Sequence, residues 1–459
     1  MKLEFKDRHA IAPPGTARAA RPLRLAVAAL LAGALGACGG SGDEAGPTIV
    51  DPVILDPVAD APDESNDRVE ITNTQSALDI RVVYPESPIP VDADGAGYGS
   101  EAPVAMERIG FDNLASVTLT LASEISPPVV ENQVVQATAI AQSIGNNAVV
   151  SYNMRGEPRL GAIDWVMRLN SSRPALGSSA TFNDADVSAV STDGRNVYMA
   201  MASGAPEFPF PAVVERLRVE GNRLTLAGNE RAPLTSFVAT SVVAVGETVY
   251  ATSGNTGGVF ALAENDLGRL GEFPLHDARW VASDPEGGRI AVVQGTPGQV
   301  SVFAGGEFPG GGMTLLNTFP FPGADVPESK STVEIAGNKA FIAAGPEGVQ
   351  VMCLDDGEIV GHVPRPDPVQ LGLDPAVVVT NAVTVDGDLM FISNGEAGVY
   401  VARAAQPFAA SGCAPQDIVV AGKLRFDDLQ SANHVSYRGE YLFVAAGLGG
   451  VKVVRVRHN

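Results

Sequence analysis

A glycine ahead of an apolar strand recurs seven times along the chain, and its spacing limits the folds available. The clearest copies are GNKAFIAAGPEGVQV from Gly337, GDLMFISNGEAGVYV from Gly387 and GEYLFVAAGLGGVKV from Gly439. In these three a second glycine follows at eight residues (Gly345, Gly395, Gly447) and a third at eleven (Gly348, Gly398, Gly450). The copy from Gly246 keeps both offsets, with Gly254 and Gly257; the copy from Gly288 is one residue shorter, with Gly295 and Gly298. Weaker copies start at Gly194 and Gly145. Successive copies lie 49, 52, 42, 49, 50 and 52 residues apart. Repeats of this size are propeller blades or solenoid units that cannot bury their apolar faces alone.

Each unit has one internal order. A strand such as HVSYR leads into a glycine turn, and a near-continuous apolar strand such as YLFVAA follows. Then come a Gly-x-x-Gly turn, an alternating strand such as VKVVRV, and a more polar strand such as GEIVGHVP or VAGKLRF. A continuous apolar strand is buried on both faces and an alternating one is half exposed. Four strands graded from apolar to polar are what a blade needs from its inner to its outer edge. A helical repeat is excluded, because 50 glycines and 33 prolines would cut every helix. The expected fold is therefore all-β: a seven-bladed β-propeller of four-stranded antiparallel blades over residues 112–459. The last unit ends at Asn459 without an outer strand. The alternating segment ASVTLTLAS, residues 115–123, is expected to supply that strand and close the ring. Residues 68–111 form an N-terminal extension that adds a strand or covers one end.

At the repeat level the Gly, apolar strand, Gly-x-x-Gly-Val-x-Val series resembles the LVIVD-repeat family of bacterial propellers, over about three-quarters of the chain. The third strands depart from the family's Ile-Val-Asp close, reading VMCLDD, VARAAQ and VVRVRH. The resemblance implies an exported, repeat-built protein with no general catalytic activity.

The N-terminus reads as an address. Arg18, Arg21 and Arg24 precede an apolar run from Leu25 to Leu35, too short to span a membrane. It ends in Leu35-Gly36-Ala37-Cys38, which resembles the lipobox of bacterial lipoproteins. The resemblance implies a signal peptide over residues 1–37, a lipid on Cys38 as the mature N-terminus and, with Gly39 following, sorting to the outer membrane. Several acyl chains would hold the protein firmly. Residues 38–67, rich in Gly, Pro, Asp and Glu, form a solvated tether with a reach of roughly 30 Å. The expected location is lipid-anchored at the outer membrane, facing the periplasm or the cell surface.

The formal net charge is −22, and −26 without the first 37 residues, which hold six basic and two acidic side chains. Such a surface repels phosphate backbones and excludes nucleic acid as a partner. The partners expected are an envelope protein or a small polar or glycan ligand, met by a monomeric propeller touching the membrane only through its lipid.

In propellers of this strand order, the loops before the inner strand and those between the second and third strands share one face. That face should display Asp184, Asp186, Arg279, Glu347, Asn381, Glu396, Asn433 and His434 as a possible ligand-binding set, the alternative being ordinary solvated loops. A metal-assisted hydrolase or lyase would gather histidines and carboxylates at the channel mouth, near Asp186, Arg279 and His434. Only one histidine is well placed, so no metal site, cofactor or catalytic residue is assigned, and the balance favours a non-enzymatic scaffold. Asp-rich turns at 183–186, 191–194, 283–288 and 386–388 leave calcium open, although none follows a known calcium spacing. No GxSxG, P-loop or dinucleotide fingerprint stands in the right context, and Trp165 and Trp280 lie in different units, unlike the Trp-rich blades of quinoproteins. Cys353 and Cys413 lie near equivalent positions of adjacent units. In an oxidising compartment they are expected to form a disulfide across 60 residues of sequence, worth roughly 3–4 kcal/mol, against the alternative of two buried thiols.

Overall fold

The computed structural model describes residues 60–93, 95–98, 117–143, 145–171, 173–284, 288–323, 330–410, 412–427 and 431–458. Cys38, the signal segment and most of the tether lie outside these residues.

Seven antiparallel sheets follow one another around a ring. Blade 1 runs Gln136–Gln142, Ala148–Asn153, Gly161–Met167 and Ala175–Phe182 from inner to outer edge. Blade 2 is Ala185–Thr192, Asn196–Ser203, Ala212–Glu220 and Arg223–Pro233. Blade 3 is Ala239–Val245, Thr248–Ser253, Gly258–Ala263 and Arg269–Pro274. Blade 4 is Ala278–Ser283, Arg289–Gln294, Gln299–Ala304 and Leu315–Pro320. Blade 5 is Val333–Ala336, Lys339–Ala343, Val349–Cys353 and Ile359–Val363. Blade 6 is Ala382–Asp386, Leu389–Ser393, Val399–Ala404 and Ile418–Leu424. Blade 7 takes His434–Arg438, Tyr441–Ala445 and Val451–His458 from the end of the chain, and its outer strand is Val117–Ile125. The second and third strands are almost wholly buried, and the core is the set of interfaces between neighbouring blades.

The closing pair runs from Val451 opposite Ile125 to His458 opposite Val117, with one shift of register that leaves Ala122 extra. It removes the free edge that the last unit would otherwise carry. The repeat glycines take a physical role in blades 5 to 7. Gly345, Gly395 and Gly447 bridge by backbone hydrogen bonds to Thr380, Ala432 and Ala137 of the next blade. The third glycine of the turn also has no room for a side chain: at Gly450, with φ +71°, a Cβ would lie 2.1 Å from the Ile125 carbonyl oxygen. The Gly-x-x-Gly signature is thus the stitch between blades.

Blades 1 to 4 differ. Each inner strand shifts register at its start, leaving an extra residue: Thr138, Ser188, Thr240 and Arg279 respectively. The inner pairs of blades 5 to 7 run without a shift. A bulge re-aims the extra side chain, and here four bulges stand at the same end of the channel.

The segment before the ring straps three blades together. Glu64–Ser65 pairs with Val69–Thr72, which pairs with the outer strand of blade 1. After the short helix Gln75–Asp79, Val82–Val83 and Ser87–Pro88 pair with the outer strand of blade 7, and Val91–Asp92 with that of blade 6. Residues 60–67, counted by composition with the tether, pack on this body: Asp63 accepts from the Asn73 and Thr74 backbone N–H groups, and Asp60 from that of Gln75. The strap is locked by Arg81. Its guanidinium donates to both oxygens of Asp164 (3.0 and 2.5 Å) and to Ser179 Oγ, while Tyr152 OH donates to Asp164 at 2.7 Å. The Asp164 side chain is 0% exposed. Removing one partner of a buried pair leaves an uncompensated charge. Arg81→Ala is therefore expected to cost about 3–5 kcal/mol, read as a lower urea midpoint with an unchanged slope.

Candidate functional site at the channel mouth

The end of the ring where the inner strands begin holds a cavity of about 550 Å³. Five blades line it. The bulged residues Ser188, Thr240 and Arg279 supply part of the wall, and Phe237, Asn255, His276, Asp277 and Trp280 supply more of it. Asn153, at the end of the second strand of blade 1, and Lys330, just ahead of the inner strand of blade 5, line it as well. The volume is in the ordinary range for small-molecule sites, which combine apolar walls with a few convergent polar groups.

Two contacts cross the channel. In a seven-membered ring, blades three apart are opposite. Lys330, ahead of blade 5, donates its ammonium to the Thr138 carbonyl of blade 1. Trp280 of blade 4 packs on His434 of blade 7, with ring centroids 5.3 Å apart. His434 is buried, and among the described residues its Nδ1 has no hydrogen-bond partner. Burial, with the Lys330 charge beside it, pushes His434 down to about 3, so the ring is neutral at physiological pH. Burial pushes the Lys330 ammonium down to about 7.

The structure does not gather the eight residues expected on this face. Arg279 alone lines the cavity. Its guanidinium is held by Asp277 at 2.8 Å and lies against Gly295, where a Cβ would overlap it. Asp184 is taken up in an ion-pair cluster, meeting Arg68 at 3.1 Å and Arg231 at 3.4 Å, and both arginines also reach the buried Glu215. It fastens the N-terminal strap to blade 2. Asp186 accepts from the Met154 backbone N–H at 3.3 Å, and burial pushes it up to about 6. Asn433 Nδ2 donates to the Ala137 carbonyl, tying blade 7 to blade 1. Asn381 is half-buried, with no partner for its Oδ1 among the described residues, and Glu347 and Glu396 are exposed in the Gly-x-x-Gly turns. Several of these positions are taken up by contacts within the ring or with the strap, and the open mouth lies where the bulged blades 1 to 4 break the pattern.

Cys353 and Cys413 form a disulfide, with Cα atoms 5.4 Å apart, that links the third strand of blade 5 to the loop after the third strand of blade 6. Among the described residues, the one group of three His, Cys, Asp or Glu side chains close enough to share an ion is Cys353, Asp355 and Cys413. Two of those donors are the disulfide sulfurs, so this group does not fit a metal. Asp186, Arg279 and His434, named for a metal-assisted reaction, form no such cluster.

The residues that sequence reasoning passed over are Lys330, Trp280, Phe237 and Asn153. Two signals were available. The chain has only six lysines, and one stands at the head of a repeat unit. The heads of the first four inner strands also share a small or β-branched residue followed by a polar one: Ala137-Thr138, Val187-Ser188, Ala239-Thr240 and Ala278-Arg279.

The geometry defines a seven-bladed β-propeller with a concave channel mouth. No family model matches the sequence, and no curated protein matches it. Solved structures with similar folds include the WD40 β-propeller domain of Doa1 (7% identity, TM-score 0.44, covering 72% of this chain and 96% of that one). The C-terminal WD40 domain of Sif2 (14%, 0.45, 74% and 90%) and the computationally designed Ika8 protein (11%, 0.43, 74% and 93%) are further examples.

The buried His434 gives a pH test. Its folded value lies below the unfolded value of about 6.5. Below pH 6.5 the unfolded chain takes up a proton that the folded chain refuses, so this contribution to stability is lost as pH falls towards 3. Asp186 and Glu334, both raised by burial, act in the opposite sense and cancel when two proteins carrying both are compared. His434→Phe, which keeps a ring against Trp280, is expected to gain on the parent protein by roughly 1–3 kcal/mol between pH 7.5 and 4.5. Urea melts at the two pH values measure the difference.

Proposed function

We propose that this chain is a lipid-anchored binding protein of the bacterial envelope. It is held to the outer membrane through Cys38, and its propeller has no catalytic role of its own. The observation that carries the binding role is the cavity of about 550 Å³ at the channel mouth, assembled from five blades and rimmed by Phe237, which is 56% exposed. A rigid ring is suited to hold such a site in fixed geometry while loops set its specificity. The stitching glycines of blades 5 to 7 support an LVIVD-like repeat, and the lipobox and tether support the anchor. A small polar ligand, a glycan fragment or a short segment of an envelope protein would fit the mouth.

Two measurements test this. Cells fed a radiolabelled fatty acid should label the protein, and Cys38→Ala should abolish both the label and membrane retention; an unlabelled parent protein defeats the anchor. Ligand binding is read by thermal unfolding against a panel of envelope-derived peptides, glycan fragments, organic acids and divalent cations. A ligand at 100 times its dissociation constant stabilises by about 2.7 kcal/mol. The shift should be lost in Phe237→Ala or Asn255→Ala, and shifts that ignore both changes would place binding elsewhere.

A further inference from the structure

Among the described residues, the cavity wall carries one cation, Lys330, that no carboxylate pairs with. Asp277 holds Arg279 through contacts at Nε and Nη2, so that pair contributes little net charge. Lys330 has a backbone carbonyl, that of Thr138, as its partner, and among the described residues no carboxylate pairs with it. A buried ammonium without a counter-charge is costly and demands compensation. Asn153 also lines the cavity, and among the described residues its buried Oδ1 has no hydrogen-bond partner. Ser188 adds a half-buried hydroxyl at the bulge of blade 2, and Phe237 and Trp280 add apolar faces.

We propose that the channel mouth binds a small organic carboxylate that carries an N–H donor and an apolar or aromatic group, the chemistry of an acylated amino acid or of the carboxyl end of a short peptide. The carboxylate meets the Lys330 ammonium, the N–H satisfies Asn153 Oδ1, and the apolar group lies against Phe237 and Trp280. This rests on the binding function proposed above and names its ligand class. A metal ion fits poorly, because a cation would enter beside Lys330 and Arg279. A neutral sugar would leave the Lys330 charge unmatched.

Electrostatics gives the interaction a pH signature. The groups facing Lys330 are the Thr138 carbonyl from blade 1, the neutral His434 from blade 7 and, from blade 4, the Asp277–Arg279 pair and the His276 imidazole that lines the same cavity. Burial holds Lys330 down at about 7, so it loses its proton as pH rises from 7 to 9, whereas His434, held down at about 3, is already neutral. A carboxylate ligand stays ionised over that range. Its affinity should therefore fall by up to about tenfold per pH unit above 7.

The probe is hippurate, which has a carboxylate, an amide N–H and a phenyl ring. Its neutral counterpart is hippuramide, in which the carboxylate is an amide. Binding to the full-length lipoprotein in mild detergent is measured by calorimetry and by tryptophan emission, which reports on the cavity because Trp165 is fully buried and Trp280 lines it. The expected result is hippurate binding at least tenfold tighter than hippuramide at pH 7, with the gap closing towards pH 9. Lys330→Met should abolish the preference for the anion, and Asn153→Ala, which leaves the charge in place, should weaken hippurate several-fold and keep the pH dependence. Equal binding of the two probes, no binding of hippurate at millimolar concentration, or full hippurate affinity in Lys330→Met would each overturn the proposal. If hippurate fails while another panel compound still gives a shift lost in Phe237→Ala, the ligand class is wrong and the binding function stands.

Discussion

The ring depends on one strand pairing. Val117–Ile125 lies against Val451–His458, so the outer strand of the last blade comes from ahead of the first. Each of the other six blades is a local unit whose four strands follow one another in sequence. Their apolar faces are buried only when a neighbour stands on both sides, and an open ring would leave two faces in water. A strand exchanged between the ends of the chain converts seven local units into one closed object. Its strength comes from register: eight residue pairs must separate together before the ring can open.

The N-terminal strap belongs to the same closure. Its short strands lie on the outer edges of blades 1, 7 and 6, the three blades that meet around the joint. Arg81 carries this reinforcement inward to Asp164, a carboxylate that no solvent reaches. Arg68 does the same at the blade 1 to blade 2 step, between Asp184 and Glu215. Buried ion pairs contribute little net stability compared with an apolar core, but breaking one is expensive. They therefore suit a strap whose task is to hold one position and no other. The disulfide serves the next pair of blades, joining blade 5 to blade 6 beyond the reach of the strap's first strands.

Much of this was written in the sequence, and the reason is the repeat. A glycine at which a Cβ would meet the next strand, as at Gly450, cannot vary without a clash, so its recurrence announces the blade. The segment at residues 115–123 alternates because one of its faces must pack, and that marks it as the missing strand. The mouth was harder to read. Repeat position alone points to Asp184, Asn433 and His434, and the fold uses all three internally: one in an ion-pair cluster, one in a backbone stitch, one under Trp280. The cavity arises where the repeat is broken. A single extra residue in an inner strand is invisible against a repeat length that already varies from 42 to 52 residues. Lys330 stands out in the sequence as one of six lysines, but its reach across the channel to Thr138 is a tertiary fact that its place ahead of blade 5 does not announce.

The asymmetry of the ring explains why a strongly acidic protein can hold a cationic cavity. The net charge of −22 is spread over the whole chain, whereas the Lys330 ammonium sits at the mouth of a low-dielectric channel. At physiological ionic strength, exposed charges are screened beyond about 8 Å, so the carboxylates of the outer surface are felt weakly inside the mouth. A charge in the channel is screened far less, and over a few ångströms it dominates. The two fields act on different quantities. The distant negative surface slows the approach of an anion, an effect that added salt relieves, while the local ammonium governs how long the anion stays. Blades 5 to 7 are joined to their neighbours by glycine stitches, and Lys330 and Trp280 reach across the channel to blades 1 and 7. Blades 1 to 4, opened by their bulges, supply the groups around them. Recognition and closure are thus divided between the two halves of one ring.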